Sequence, residues 1–401
     1  MRLRMSETSP VRNITLLSIS QAIGGSNSAI VTAIGGLAAV SLAPDRSLAT
    51  VPVTAMVIGL ALFSGLATYL IHRLGRRQGF MLGAILSLPG GLLAALAIGM
   101  QSFLLLCVGL FLVGISGAFG NQYRFAAADS VPPEWKAKSI SFVMLGGVLA
   151  GFVGPGLSGI TKDLIPGAPY AGAFLTMAAF AAVTTIVLSQ TRLAPPAERN
   201  VGHEGRSIPQ LLRSMDVMVP VIGATVSYAL MVLIMVAAPI AMVYVCGHTP
   251  LDATQAIQWH IVAMFAPSFV TGWIISKLGP HLTAGLGLAL IAGAAITALL
   301  GTSVPHFFVS LILLGVGWNF GFIGSTALLT QAYRPEEAAR VQGLNEQMVF
   351  GVMAIASIGS GFLLQFVGWQ AINILTLPLA AAAILALAWS EFRKRGRRVA
   401  A

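Results

Sequence analysis

The chain has 401 residues, of which 56% are hydrophobic and only 9% are charged, and its formal net charge is +10. Because soluble domains usually contain about 25% charged residues, this composition excludes an ordinary water-soluble protein and indicates that lipid surrounds most of the chain. The positive charge does not indicate a nucleic-acid-binding protein, since the Lys and Arg residues are spread over short loops instead of forming one basic patch. The two cysteines, Cys107 and Cys246, have no neighbours typical of metal ligands, so neither a disulfide framework nor a metal site is expected.

Twelve apolar segments follow one another along the chain, each close to the roughly 20 residues that a membrane-spanning helix needs. The first six are residues 13–40, 50–71, 79–99, 102–128, 139–160 and 170–190. The other six are residues 217–245, 254–275, 282–301, 307–331, 341–365 and 371–390.

A polar stretch at residues 191–216 separates the two groups of segments and is typical of a linker, because it contains Pro195, Pro196 and Gly202. The sequence therefore predicts an all-α membrane protein with twelve transmembrane helices in two six-helix bundles. The N-terminal bundle comprises residues 1–190, and the C-terminal bundle, with a basic cytoplasmic tail, comprises residues 217–401.

Short stretches recur about 200 residues apart and relate the two halves. Leu112–Gly114 resembles Leu313–Gly315, and Arg73–Gly75 resembles Lys277–Gly279. We therefore expect the bundles to be related by a pseudo-two-fold repeat. Such repeats are common in transporters, whose substrate sites lie at the repeat interface near the bilayer midplane.

The basic residues predict the orientation in the membrane, because Lys and Arg are enriched in cytoplasmic loops. With both termini in the cytoplasm, the outer loops keep only Arg46 and Lys162. The inner segments then hold Arg2, Arg4, Arg12, Arg73, Arg76, Arg77, Lys136, Lys138, Arg192, Arg199, Arg206, Arg213, Lys277, Arg334, Arg340, Arg393, Lys394, Arg395, Arg397 and Arg398. We expect a multi-pass protein of the bacterial inner membrane with both termini and the 191–216 linker on the cytoplasmic side.

Three motifs carry a resemblance to a known family. The loop after the second segment, Thr68–Arg77, combines basic residues with a glycine, and Gly272–Gly279 after the eighth segment repeats it in weaker form. The fifth segment contains Gly154-Pro155 among other small residues. In these motifs the chain resembles the major facilitator superfamily over essentially its whole length. The resemblance implies gating roles for His72, Arg73, Gly75, Arg76, Arg77, Gly154, Pro155, Gly159, Gly272 and Gly279.

Some of these residues keep two interpretations. His72 stands where the family has an aspartate that helps to close the cytoplasmic side, so the neighbouring arginines are either gate residues or inside-positive anchors. The Gly154-Pro155 pair either allows close helix packing in lipid or forms a contact that seals one side during rocking, as in the proton-coupled exporters it resembles.

Four ionisable residues lie within or at the ends of the apolar segments: Arg124, Asp129, His260 and Glu346. A charge at membrane depth costs about 2.5–3.5 kcal/mol on insertion scales, so such residues are functional candidates. Glu346, Asp129 and His260 are candidates for proton coupling. The alternatives are an ionised Glu346 paired with Arg340, a helix-end Asp129 and an interfacial His260.

The resemblance implies that segments one, four, seven and ten line a central cavity. The substrate-binding candidates on these segments are Asn27, Asn121, Arg124, Tyr228, Trp318 and Asn319. Hydrogen bonding between helices is the alternative for the polar side chains, and snorkelling to the interface is the alternative for the arginine. Segments four and ten also resemble a group of bacterial exporters, and vitamin carriers such as those for riboflavin are similar.

These features predict a secondary active transporter that moves a small amphipathic molecule by alternating access. We expect proton-coupled efflux by a monomer, with import of a vitamin such as riboflavin as the alternative. A non-transporting membrane sensor or scaffold is a remote alternative. The sequence contains no nucleotide-binding or hydrolase motif, so we expect no cofactor and no enzymatic activity.

Overall fold

The computed structural model describes residues 10–132, 135–193 and 205–399, and this part of the chain consists of helices joined by turns and short loops, without strands. Side chains are described throughout these ranges except at residues 136, 137, 335, 338, 339 and 394–399. Several residues used in the sequence analysis lie outside the described residues, namely Arg2, Arg4, Pro195, Pro196, Arg199 and Gly202.

Eleven helices of the described chain are long and apolar enough to cross a membrane, and the helices Pro250–Phe265 and Ser268–Leu278 together form a further span that is bent by 46°. Counting this bent pair once confirms the all-helical membrane fold predicted from the sequence. Spans 1–6 are Pro10–Val40, Arg46–Leu74, Arg76–Gly99, Phe103–Ala128, Lys138–Thr161 and Ala171–Ser189. Spans 7–12 are Met215–Val245, the bent pair, Pro280–Leu300, Val304–Thr330, Arg340–Phe366 and Trp369–Arg393.

Large apolar side chains point outward from these spans. Leu62, Leu104, Ile160 and Leu385 are each more than two-thirds exposed. Such a surface is unfavourable in water, because the free energy of the system falls when apolar surface is removed from water. The structure and the composition therefore both indicate that lipid hydrocarbon surrounds the outer face of the spans.

The described residues group into two compact units. The first contains residues 10–44 and 55–193, and the second contains residues 45–54 and 205–399. The short segment Asp45–Thr54 belongs to the second unit because it packs on span 11, where Thr54 Oγ1 lies 2.7 Å from Ser357 Oγ. Gly361 permits this approach, since a Cβ atom there would lie 2.7 Å from the carbonyl oxygen of Ser47. From the sequence, this segment was expected in the N-terminal bundle of residues 1–190.

Small residues bring helices together within each unit. In lipid, packing of small side chains is a main source of helix association. At Gly154 of span 5, a Cβ atom would lie 2.7 Å from the carbonyl oxygen of Ser26 in span 1, and Gly146 makes a similar approach to span 1. Gly159 has no neighbour of this kind within 4 Å. Gly154 therefore has a packing role in the first unit, and a gating role for Gly154, Pro155 and Gly159 stays a prediction.

The same backbone conformation follows span 2 and span 8. Gly75 has φ 85° and ψ 154°, and Gly279 has φ 82° and ψ 157°. This region is essentially restricted to glycine, because a side chain would strain the backbone there. The two glycines predicted from the repeated loop motif therefore share a conformational requirement.

Candidate functional site

Arg76 is buried in the first unit and forms an ion pair with a carboxylate. Its side chain is only 7% exposed, and Nη2 donates a hydrogen bond to Asp129 Oδ2. Arg76 begins span 3, whereas Asp129 caps the end of span 4, so each charge lies at a helix end whose dipole has the same sign. The ion pair offsets both unfavourable placements and joins the two spans. Asp129, a candidate for proton coupling, is thus the partner of a motif arginine, and its protonation during transport stays a prediction.

The other members of the first loop motif face outward. His72, Arg73 and Arg77 are exposed, and Arg73 Nη1 donates to the hydroxyl of Tyr69 at 3.3 Å. Gly272, in the second copy of the motif, has no neighbour within 4 Å of a Cβ position. Arg76 therefore joins this loop to span 4 through its ion pair, and Thr68 at the start of the motif accepts a hydrogen bond from Gln122 of the same span at 3.1 Å. The gating roles of the other members stay predictions.

A second charged contact, which the sequence analysis did not identify, lies in the second unit. Glu337 is fully buried and accepts hydrogen bonds from Arg206 at three donors: the backbone N–H (2.8 Å), Nε (2.9 Å) and Nη2 (2.8 Å). The backbone N–H of Arg334 donates to the same carboxylate at 3.1 Å. Arg206 Nη2 also donates to the carbonyl oxygen of Ala332 at 2.9 Å.

This contact fixes the chain just before span 7 to the turn between spans 10 and 11. The hydrogen bonds from the Arg206 side chain, with those from the backbone N–H groups, hold the pKa of Glu337 well below its ordinary range, although burial opposes the shift. The same carboxylate raises the pKa of Arg206. A local sequence pattern contains no signal for this pair, since 131 residues separate its members.

Aromatic rings from four spans meet in the second unit. We call Tyr228, Phe265, Trp318, Phe322 and Phe350 the aromatic cluster. The Tyr228 ring stands edge-on to the rings of Trp318, at 5.2 Å between centroids, and Phe322, at 5.3 Å. Phe350 lies 6.3 Å from Tyr228, Phe265 lies 6.2 Å from Trp318, and the Trp318 and Phe322 rings are parallel at 5.4 Å. Tyr228 and Trp318 were named from the sequence, whereas the three phenylalanines were not.

Asn319 is completely buried beside the bend in span 8. Its Nδ2 donates to the carbonyl oxygen of Met264 and to Ser268 Oγ, both at 2.7 Å, and its Oδ1 accepts from Thr271 Oγ1 at 2.6 Å. Pro267 lies at the break and cannot donate a backbone hydrogen bond. Asn319 therefore supplies hydrogen bonds to the broken helix, which is the interhelical alternative considered for it. Substrate binding by this residue stays a prediction.

The polar candidates of the first unit are spread over different surroundings. Asn27 is buried, and its Nδ2 donates to Ser87 Oγ at 2.9 Å, which links spans 1 and 3. Asn121 is exposed where span 4 breaks between its two helical parts. The Arg124 guanidinium lies 4.8 Å from the centroid of the Phe125 ring. The hydrogen bond of Asn27 and the ring contact of Arg124 involve different partners, and substrate binding by the three residues stays a prediction.

The remaining ionisable candidates lie on different spans of the second unit. His260 is fully buried in span 8, and its Nδ1 lies 2.7 Å from the carbonyl oxygen of Leu311. Because a carbonyl oxygen can only accept a hydrogen bond, Nδ1 is the donor in this contact. Glu346 is exposed on span 11. His260 therefore has a structural hydrogen bond, and the roles of His260 and Glu346 in proton coupling stay predictions.

One cavity lies wholly inside the first unit. It has a volume of about 390 Å³ and lies between spans 1 and 5, with Ile14, Ser18, Trp135, Lys138 and Phe142 among its lining residues. Its wall is almost entirely apolar, and it contains none of the substrate-binding candidates. Among the described residues, no group of three or more His, Cys, Asp or Glu side chains is arranged to hold a metal ion.

Comparisons with known proteins identify the family and related carriers. Residues 16–355 and 221–400 match the family described as Major Facilitator Superfamily. The riboflavin transporter RfnT of Brucella anthropi is 43% identical over 383 residues, which cover 95% of this chain and 96% of that protein. The uncharacterized MFS-type transporter YdeG of Bacillus subtilis is 28% identical and covers 95% of this chain and 92% of its own length. The methylenomycin A resistance protein of Bacillus subtilis is 26% identical over only 33% of this chain and 28% of its own length.

Solved structures share the fold at low sequence identity. The nucleoside transporter NupG superposes with a TM-score of 0.73 at 14% identity and covers 94% of this chain and 99% of its own. The POT family transporter PepTSo gives a TM-score of 0.73 at 13% identity and covers 97% of this chain and 98% of its own. The family match and the relative that is 43% identical show that the chain belongs to the major facilitator superfamily and is a multi-pass membrane transporter, not an enzyme.

Proposed function

We propose that this transporter carries riboflavin into the cell across the bacterial plasma membrane. The observation that supports this cargo is the 43% identity to a riboflavin transporter along nearly the full length of both chains. The similarity to an antibiotic resistance protein is weaker and covers a third of the chain. We therefore favour the vitamin importer over the proton-coupled exporter that the sequence analysis placed first.

The chemistry of riboflavin determines which side chains could bind it. Riboflavin joins a flat tricyclic ring system to a polyol chain and carries no net charge at neutral pH. A carrier for such a molecule needs apolar ring contacts and neutral hydrogen-bonding groups, and it needs no counter-charge for the cargo. The second unit offers aromatic rings halfway along its spans, which agrees with this requirement.

Proton coupling through Glu346 remains part of this proposal. A carboxyl group on a spanning helix can bind a proton on one side of the membrane and release it on the other. Glu346 is such a group, since it lies on span 11 within two turns of the end at Arg340. Replacement of Glu346 by Gln should then abolish uptake driven by a proton gradient while leaving exchange of labelled for unlabelled riboflavin across the membrane intact. Unchanged gradient-driven uptake would refute the role of this residue.

Rescue of a riboflavin auxotroph tests the cargo and the direction together. A strain that lacks both riboflavin synthesis and its own uptake system should grow at low external riboflavin only when it expresses this chain. A matched control is Trp273→Phe, because this side chain is 65% exposed on span 8 and is none of the residues proposed for gating or binding, although it lies within the second copy of the loop motif. Absence of rescue, together with faster loss of labelled riboflavin from preloaded cells, would indicate export. Absence of any labelled flux would overturn riboflavin as the cargo.

The orientation is also proposed, with both termini in the cytoplasm. The outer loops predicted from the charge pattern contain Arg46 and Lys162. In a background without the native cysteines Cys107 and Cys246, a single cysteine at Asp163, beside Lys162, should react with a membrane-impermeant reagent added outside intact cells. A cysteine at Arg77 should react only after permeabilisation, and the reverse pattern would overturn the assignment.

A further inference from the structure

The aromatic cluster lies at the depth where a carrier of this family would hold its cargo. Trp318 lies near the middle of span 10 and Tyr228 near the middle of span 7. Substrate sites of secondary transporters lie near the bilayer midplane, often next to irregular helix segments. Phe265 ends the first part of the bent span 8, so the cluster lies beside such an irregularity.

One polar group of the cluster lacks a partner. Trp318 is 6% exposed, and its indole Nε1 is buried without a hydrogen-bond acceptor among the described residues. Leaving a buried donor without an acceptor destabilises the folded protein by about 1–3 kcal/mol. Native structures therefore contain few such groups. The neighbouring amide of Asn319 does not satisfy it, because its oxygen accepts from Thr271 and its nitrogen donates elsewhere. The indole N–H is therefore available for an acceptor on a ligand.

The rings around Trp318 keep part of their surface exposed. Tyr228, Phe265, Phe322 and Phe350 are only partly buried, although each packs against another ring of the cluster. Aromatic surfaces of this kind bind other flat rings by stacking or edge-on contact. The cluster contains no ionisable carboxylate, amine or guanidinium, so it offers no counter-charge to a charged ligand.

We infer that the aromatic cluster binds the flat ring system of an uncharged heteroaromatic ligand and that Trp318 donates its indole N–H to a carbonyl oxygen or ring nitrogen at the edge of that ligand. The inference rests on the proposed riboflavin transport, in which the ligand is the isoalloxazine ring. That ring has two apolar faces and an edge that carries carbonyl and imine acceptors. In this arrangement the partly buried aromatic rings pack on the faces of the isoalloxazine ring, and the Trp318 indole N–H donates to an acceptor on its edge.

This arrangement makes a specific demand on the ligand. Affinity should follow the ring system and not the ribityl chain. Lumiflavin, which keeps the ring and replaces the ribityl chain by a methyl group, should compete with riboflavin for the purified transporter. Ribitol, which is the chain alone, should not compete at the same concentrations.

The decisive variant is Trp318→Phe, because it removes the indole N–H and keeps an aromatic ring for packing. Riboflavin binding to the full-length protein in detergent can be followed by quenching of flavin fluorescence. We expect Trp318→Phe to weaken binding by about tenfold, which is the effect of losing one hydrogen bond of ordinary strength. Phe322→Leu removes ring surface and should weaken binding by about five- to tenfold. The control Trp273→Phe removes an exposed indole outside the cluster and should bind as the parent does.

The outcomes separate the subsite from the cargo. If riboflavin binds and Trp318→Phe binds it equally well while unfolding at the same temperature as the parent, the subsite is wrong and the cargo stands. If riboflavin does not bind but lumiflavin does, and Trp318→Phe weakens it, the cargo is wrong and the subsite stands. Competition by ribitol but not by lumiflavin would overturn the subsite. If Trp318→Phe is unfolded, Phe322→Leu supplies the test, and parent-like binding by that variant would overturn the subsite.

Discussion

The buried carboxylate of Glu337 allows a sharp test of how the second unit is held together. Its Oε1 accepts from the backbone N–H and Nε of Arg206, and its Oε2 accepts from Arg206 Nη2 and the backbone N–H of Arg334. Glu337→Gln keeps the shape but retains only one acceptor oxygen, so two of these four hydrogen bonds are lost. Hydrogen bonds to charged groups contribute about 1.5–3 kcal/mol each.

The total loss is smaller than the sum of two such bonds, because the Arg206 side chain is 36% exposed and water competes for it. We expect Glu337→Gln to lower the free energy of unfolding by about 2–4 kcal/mol. For a unit of this size, that change corresponds to a fall of about 4–16 °C in melting temperature. The assay is thermal unfolding of the detergent-solubilised protein, followed by intrinsic tryptophan fluorescence.

The dependence on pH tests the same reasoning independently. Because the folded-state pKa of Glu337 is lowered from its ordinary value of 4.5, its stabilising effect is fully present above that value. The effect is lost as the pH falls from 4.5 through the lower folded-state pKa. The difference in melting temperature between parent and Glu337→Gln should therefore be constant between about pH 6 and 8 and shrink below about pH 4.5.

Two results would refute this account of the pair. One is a melting temperature of Glu337→Gln equal to that of Glu336→Gln, the matched control, whose side chain is exposed in the same turn. The other is a difference between parent and variant that grows as the pH falls. A double-mutant cycle with Arg206→Gln should show a coupling energy of at least about 1 kcal/mol.

The other variants address the remaining structural contacts. Asp129→Asn leaves the buried Arg76 without its carboxylate and should reduce the melting temperature and initial uptake, whereas the double variant with Arg76→Gln should recover part of the stability. Gly75→Ala should be destabilised by about 1–3 kcal/mol in chemical unfolding, because φ is 85° at this position. The control is Gly65→Ala in the middle of span 2, where a Cβ atom would also meet no neighbour within 4 Å, and it should be as stable as the parent or slightly more stable. Asn319→Ala removes three hydrogen bonds at the bend of span 8 and should increase hydrogen exchange of the amides on both sides of the break.

The spans could be predicted from the sequence because hydrocarbon thickness sets their length and charge is excluded from them. The bend of span 8 was not predicted, although Pro267 marks the position where the helix loses a backbone donor. The π-helical turns Val31–Gly35 and Ala241–Val245 were also not predicted, since their residues are as apolar as the α-helical residues around them. Their occurrence in the first span of each half agrees with the repeat.

The partners of the candidate residues were harder to predict than the residues. Arg76 and Asp129 were both named from the sequence, but for separate roles, because 53 residues separate them and no local spacing relates them. Phe322 and Phe350 were missed because aromatic side chains on apolar helices do not differ in pattern from residues that face lipid. Glu337 was missed because a buried carboxylate in a short loop looks like any solvated acidic residue in sequence.

The placement of charge relative to depth leads to a final prediction about the cargo. The ion pairs Arg76–Asp129 and Arg206–Glu337 lie at helix ends or in loops, whereas the aromatic cluster halfway along its spans contains only neutral groups. Because a charge in the middle of a span costs about 2.5–3.5 kcal/mol on insertion scales, a cargo that brings its own charge would need a counter-charge that this cluster does not provide. Flavin mononucleotide has the same ring as riboflavin but carries a phosphate, so it should compete with labelled riboflavin at least about tenfold more weakly in an equilibrium binding assay. Equal competition by the two flavins would show that a cationic group of this chain, outside the aromatic cluster, takes part in binding.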